Sequence, residues 1–276
     1  MPLLLCAGAL AVPAGAAGAS NVSSNWAGYV ALPGASAPRF SSVSGTWKQP
    51  VATCTAGREA SSAVWAGLGG YSERSSALEQ IGTDADCSSA GKPLYTAWYE
   101  LIPAGPVNLK LAIHPGDEVT AAVTVRAHDV TLAIRDLSTG ARYQVTRRVA
   151  AVDVSSAEWI VEAPSLCTPA GACTTLALTD FGSIAFSAAS ATAAGHTGAV
   201  GDPGWSSGAL ELRQESAVAP GRRFRRRAPA AQQLITAVPT ALAEGTGAFS
   251  VAWQEQTLTQ GQPPAPTLPG SGGGPT

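Results

Sequence analysis

An all-β sandwich of two antiparallel sheets is the architecture this sequence predicts, and three observations predict it. Helical periodicity is almost absent, while short alternating apolar and polar runs dominate. Gly, Pro, Asn, Asp and Ser punctuate these runs at a spacing of roughly ten residues, the rhythm of a sandwich. Charged residues make up only 13% of the chain, about half the usual share, against 45% hydrophobic residues. Gly, Ser, Thr, Ala and Val fill the gap, which suits strands with neutral, hydroxyl-rich outer faces. One domain of this type accommodates a chain of 276 residues.

The expected strands follow in order. Residues 25–31 alternate around Trp26 and Tyr29, and 43–48, 63–68 and 78–83 come next. Residues 95–102 carry Trp98 and Tyr99, and 107–113 run into the turn His114-Pro115-Gly116-Asp117. Residues 119–127 and 130–136 form a pair, and Ser138-Thr139-Gly140 turns the chain into 141–149. Residues 158–162, 181–188 and 249–254 complete the set. No repeat of fixed period is visible.

The ends read differently. Residues 1–19, MPLLLCAGALAVPAGAAGA, form an apolar run ending in small residues, as in a secretory leader, although a charged start is missing. Residues 257–276 are rich in Pro, Gly, Ser and Thr and read as a disordered tail or linker. The domain is therefore expected over 20–256. Inside it, the basic run Gly221–Arg227 reads as a solvated loop or protease-sensitive insertion rather than a heparin or nucleic-acid patch.

The net charge of −2 creates no global field that would draw nucleic acid or an anionic membrane. A surface poor in ionisable groups loses few ion pairs on protonation and so suits acid. Five cysteines become four once the leader is removed, an even number fitting an oxidising, extracellular compartment. Cys167 and Cys173 flank a short loop that they would staple, and Cys54 and Cys87 then pair by elimination. Without a CxxC, and with His114, His128 and His196 scattered, neither a zinc site nor any other cofactor is expected. A monomer is the expected state.

Polar residues embedded in aromatic strands mark the chemistry. Alternation puts Glu158, Ile160 and Glu162 on one face of 158–162, with Trp159 and Val161 on the other. Trp98 shares a face with Thr96 and Glu100, and Gln80 shares one with Leu78 and Gly82. Trp26 adds a further aromatic. These residues describe a polar, tryptophan-rich groove on a sheet, able to hold an extended peptide or a sugar chain.

Nucleophilic and aspartic chemistries lack support. The GxSxG match Gly204-Trp205-Ser206-Ser207-Gly208 has no strand before it, no helix after it and no following His, and reads as a Gly/Ser loop. Neither Asp-Thr-Gly nor Asp-Ser-Gly occurs.

Ser24-Asn25-Trp26-Ala27-Gly28-Tyr29 and Trp65-Ala66-Gly67-Leu68-Gly69-Gly70 resemble the opening of the glutamic peptidases (eqolisins). Leu78-Glu79-Gln80-Ile81-Gly82, Ala97-Trp98-Tyr99-Glu100 and Ala157-Glu158-Trp159-Ile160-Val161-Glu162 resemble later motifs of that family, in matching order. The resemblance spans about residues 21–254 and implies a concanavalin A-like sandwich. It implies that Glu162 and Gln80 are the catalytic pair, and that Trp26, Trp65, Trp98 and Glu100 line the substrate groove. Two departures stand out: the family carries an Asp where this chain has Gly69, and often one where it has Thr96.

The implied activity is acid endopeptidase hydrolysis. Glu162 as a carboxylate would take a proton from water and return it to the leaving nitrogen, while the Gln80 amide steadies the oxyanion. Two other readings remain open at this point. A sandwich glycosidase needs two carboxylates flanking the bond, for which Glu158 and Glu162, about 13 Å apart along a strand, are too distant, although Glu100 with Glu162 is not. A carbohydrate-binding module would use the tryptophans without turnover.

Overall fold

The computed structural model describes residues 21–34, 39–168, 173–215, 233–243 and 245–255. The leader, the basic run at 221–227 and the C-terminal tail lie outside the described residues. Twenty strands and no helix are found among them. The first group is β1 (Asn21–Ser23), β2 (Trp26–Pro33), β3 (Phe40–Lys48), β4 (Ala63–Gly69), β5 (Leu78–Asp84), β6 (Asp86–Cys87), β7 (Pro93–Leu94), β8 (Ala97–Ile102) and β9 (Val107–Asn108). Then come β10 (Glu118–Arg126), β11 (Asp129–Asp136), β12 (Arg142–Arg148), β13 (Ala157–Glu162), β14 (Ser165–Cys167) and β15 (Cys173–Thr175). The last are β16 (Ser183–Ala193), β17 (His196–Ala199), β18 (Trp205–Glu215), β19 (Gln233–Pro239) and β20 (Phe249–Trp253).

One sheet runs in the order β12-β11-β10-β3-β16-β20-β19-β18-β2-β13-β4-β5-β8-β9. It folds on itself, so that β3, β10 and β11 pack over β4 and β5. The predicted sandwich is thus present, as two antiparallel layers of one continuous sheet. The cystines Cys54–Cys87 and Cys167–Cys173 form as expected, the second tying β14 to β15.

Alternation decides what each layer buries. Val119, Ala121, Val123 and Val125 of β10 and Val130, Leu132 and Ile134 of β11 point inward. They meet Trp159 and Val161 of β13 and Val64, Ala66 and Leu68 of β4. Indole N–H groups tie the layers together: Trp159 Nε1 donates to the Ser44 carbonyl at 2.7 Å, and Trp47 Nε1 to Thr83 Oγ1 at 3.0 Å. Gly45 makes room for the first, since a Cβ there would sit 2.9 Å from Trp159 Cδ1.

Several boundaries differ from the sequence reading. The expected strand 107–113 keeps ladder pairing only at Val107–Asn108, yet Leu111 and Ile113 are still buried as loop residues. The Trp205–Gly208 stretch expected as a loop opens β18, where Ser206 and Ser207 pair with Leu32 and Ala31 of β2. Burial of Trp205 against Phe40, with ring centroids 5.5 Å apart, overrides its loop-like composition. β16 runs past its expected end because a register shift between Ser187 and Ser190, with Ala188 at φ 50°, lets the strand continue.

Two acids are buried where the β4, β5 and β13 strands meet the 151–156 loop. Glu79 is 1% exposed and Glu158 fully buried. Glu79 Oε1 accepts from the Asp153 N–H at 3.3 Å, whereas Glu79 Oε2 and both Glu158 oxygens have no hydrogen-bond partner. Burial pushes Glu79 up to about 8 and Glu158 well above the ordinary carboxylate range. Burial would raise Asp153 too, but hydrogen bonds from Ser155, Ser75 and Gly70 outweigh it and hold its carboxyl low. The cluster is thus built for one charge and two protons.

Two outcomes follow. Trp159→Ala, which empties the centre of the sandwich, is expected to cost about 3–5 kcal/mol in urea unfolding; a loss under about 1 kcal/mol would show that this residue does not carry the interlayer packing. Stability is expected to depend on pH. An unfolded Glu loses its proton near pH 4.5 while the folded Glu79 keeps it to about 8, so stability is full below that span and falls as pH rises through it. Urea midpoints measured from pH 4 to pH 8 should fall, and Glu79→Gln should flatten the curve; a wild-type midpoint that rises over this range contradicts the assignment.

Candidate active site

β13, β4, β5 and β8 lie side by side and turn one face away from the partner layer. Three rows of residues cross that face. Glu158 pairs with Gly67, Gly67 with Gln80 and Gln80 with Glu100. Ile160 pairs with Trp65, Trp65 with Gly82 and Gly82 with Trp98. Glu162 pairs with Ala63 on β4 and with Trp26 on β2. Ala63, Trp65, Leu78, Trp98 and Ile160 form an apolar floor beneath the polar groups, with Trp26 packed against it.

Glycine is required where the indole of Trp65 lies down. A Cβ on Gly67 would be 2.9 Å from Trp65 Cζ3 and 3.2 Å from Gln80 Cβ. A Cβ on Gly82 would strike Trp65 Cβ at 2.6 Å. The indole therefore extends along the sheet, its six-membered ring over Gly67 beside Gln80 and its Nε1 at the other end donating to Glu162 Oε2 at 2.9 Å. Trp26 stands edge-on to it, with centroids 5.0 Å apart.

Glu162 receives a second donor. Asn25, in the turn before β2, gives its Nδ2 to Glu162 Oε1 at 3.1 Å. The residue keeps partial exposure, but its carboxyl sits among indoles, and that desolvation pushes it up to about 7. The Trp65 and Asn25 donors pull it back, and Glu100 raises it further through space. Two rows away, beyond the row of Trp65 and Trp98, Gln80, 3% exposed, donates from Nε2 to Glu100 Oε2 at 2.7 Å. That bond fixes the sense of the amide and leaves Gln80 Oε1 buried without a partner. Burial raises Glu100 as well, against the pull of Gln80.

The structure thus brings Glu162, Gln80, Glu100, Trp26, Trp65 and Trp98 to one face. Their parts differ from a simple groove lining. Trp65 is fully buried and serves Glu162 by its N–H, Trp98 is nearly buried in the floor, and Glu100 holds Gln80. Glu158 shares the face but is sealed under it beside Ser156 and Asp153. Asn25 was overlooked, because an Asn beside a turn reads as turn chemistry, and only tertiary pairing gives it a carboxylate.

Both departures from the family motif have local substitutes. A Cβ on Gly69 would lie 2.5 Å from Asp153 Cβ and 2.8 Å from its Cγ, so Asp153 fills the space that a side chain at 69 would take. Thr96 Oγ1 donates to Asp84 Oδ2 at 2.7 Å, while burial and the nearby Asp86 push Asp84 up to about 7. Ser206, the centre of the GxSxG match, lies inside β18 and donates to the Leu32 carbonyl at 3.3 Å.

Comparison with known proteins follows the same lines. Scytalido-glutamic peptidase, solved with a peptide-based transition-state analog, superposes with a TM-score of 0.64 at 20% identity, covering 84% of this chain and 98% of its own. SCP-B, a member of the eqolisin family in complex with the tripeptide Ala-Ile-His, gives a TM-score of 0.61 at 19% identity over 84% of this chain and 98% of its own. Aspergilloglutamic peptidase from Aspergillus niger gives 0.51 at 22% identity over 71% and 99%. No curated protein sequence matches the chain. The profile of the Peptidase A4 family matches residues 24–215. That span contains every motif and both carboxyl-bearing rows described above, and the chain belongs to the peptidase A4 family, the glutamic peptidases or eqolisins, as a glutamic endopeptidase.

Proposed function

We propose that this protein is a secreted endopeptidase that cleaves extended polypeptides in acid, with Glu162 and Gln80 as its catalytic pair. The reading rests on one observation: two side chains of complementary chemistry stand on one face, at opposite ends of the Trp65 indole, each held by its own partner. Bound peptide ligands in the related structures support an extended peptide as the substrate. The two cystines support an oxidising compartment.

Burial alters the expected order of proton transfers. With its carboxyl raised to about 7, Glu162 rests protonated in acid rather than as a free carboxylate. Water attacks the peptide carbonyl carbon, and the carbon–oxygen π bond opens as Glu162 gives its proton to the carbonyl oxygen. The proton released by the water returns to the carboxyl's other oxygen. The tetrahedral diol carries no net charge, and the Gln80 amide steadies it through its remaining N–H and its Oε1. Glu162 then protonates the leaving nitrogen, the carbon–nitrogen bond breaks, and a diol hydroxyl restores the proton to Glu162. Acid and amine leave, and the enzyme returns to its starting form.

Glu162→Gln is expected to lower kcat by at least about 10³-fold on a denatured protein at pH 4, and Gln80→Ala by about 10²–10³-fold. Both should keep wild-type melting temperatures; near-normal proteolysis by either folded variant would remove that residue from the mechanism. In wild type, kcat/KM should fall about tenfold per pH unit above 7, as Glu162 loses its proton. A rate that climbs steadily through pH 7 would instead require the carboxylate as the resting form. A β-glucan assayed alongside should not be cleaved.

A further inference from the structure

Each Glu162 oxygen faces a group that can only donate: the Trp65 indole N–H and the Asn25 amide nitrogen. An indole has no acceptor, but an amide has one on its other arm. If the Asn25 amide turned over, Oδ1 would face Glu162 and take its proton inward, away from any substrate. The neighbourhood opposes that rotation. Ser23 Oγ donates to Asn25 Oδ1 at 3.2 Å, while the backbone N–H of Trp26 donates to Ser23 Oγ at 3.1 Å and uses the hydroxyl's acceptor side. The backbone is anchored as well, since the Ala163 N–H donates to the Asn25 carbonyl at 2.8 Å, one residue beyond Glu162.

We infer that Asn25, its amide sense set by Ser23, is a positioning residue that turns the Glu162 proton toward the substrate by offering that carboxyl no acceptor. This deepens the Glu162–Gln80 reading and rests on it. In the chain of contacts, the Trp26 N–H fixes Ser23, Ser23 fixes Asn25, and Asn25 with Trp65 leaves the groove as the direction in which a Glu162 O–H can point. The charged and titratable groups around Glu162 are few. Glu100 of β8 acts on it through space, and the donors Asn25 and Trp65 hold its two oxygens.

Three variants of the full chain test the inference by steady-state kinetics on a quenched peptide from pH 3 to pH 8. Asn25→Asp keeps the shape but introduces an acceptor, and is expected to lower kcat by about 100-fold or more with KM changed less than about threefold. The same change should move the falling limb of kcat/KM upward by about one pH unit, since a second carboxylate favours the protonated Glu162. Asn25→Ala removes the donor and should move that limb upward while lowering kcat by about tenfold. Ser23→Ala leaves every Glu162 contact in place but frees the amide to rotate, and should lower kcat several-fold at unchanged KM. A merely structural role would lower the melting temperature and leave the pH limb of the surviving enzyme where it was.

The inference is overturned if Asn25→Asp and Ser23→Ala, both folded by melting temperature, keep wild-type kcat and the wild-type limb. Should Asn25→Asp not fold, Ser23→Ala decides alone. The Glu162–Gln80 reading fails separately, and recognisably, if Glu162→Gln retains the wild-type rate in the same assay.

Discussion

The desolvation of one carboxyl governs this active face. Glu162 takes one N–H from the Trp65 indole and one from the Asn25 amide, neither of which turns an acceptor toward it. Removing water favours the neutral acid, while the donors favour the anion. Burial dominates, and the group settles near neutrality rather than in the ordinary range of carboxylates. Among the described residues, the charged group that acts on it is the acidic Glu100, which adds to the upward shift rather than reversing it.

The sheet supplies the geometry that makes this possible. Four adjacent strands present alternate residues to the same side, so Glu162, Trp65, Gln80 and Glu100 come from four different strands yet face one way. Gly67 and Gly82 leave the floor open for a large flat side chain to lie along it. Trp65 then spans the interval between the acid and the amide. The opposite faces of the same strands hold the two layers together through Trp159, Val161 and Thr83, so the proposed catalytic pair and the interlayer packing draw on alternate residues of one set of strands. The buried Glu79 and Glu158 show the same effect, burial raising each above the ordinary carboxylate range.

Much of this was legible in the chain. Period-two alternation gave the strands that carry Trp26, Trp65, Gln80, Trp98 and Glu162 to within a residue or two, and cysteine spacing gave both cystines. What alternation could not give was depth. It puts Glu158 and Glu162 on one face but not the covering that seals the first and leaves the second reachable. Nor does it reveal partners that meet only on folding: Asn25 with Glu162 is 137 residues apart in sequence, and Asp153 reaches the space beside Gly69 from a distant loop. Composition misled at Trp205–Gly208, where one buried indole turns a Gly/Ser-rich stretch into a strand.

The central claim is that Glu162 keeps its proton through the acid range, and infrared difference spectroscopy reads that proton directly. Subtracting the Glu162→Gln spectrum from wild type isolates one carboxyl C=O band from those of Glu79, Glu158 and Asp84. The account predicts that this band persists from pH 3 and fades with a midpoint at about 7. A band already gone by about pH 5, the behaviour of an ordinary solvated carboxylate, would contradict it.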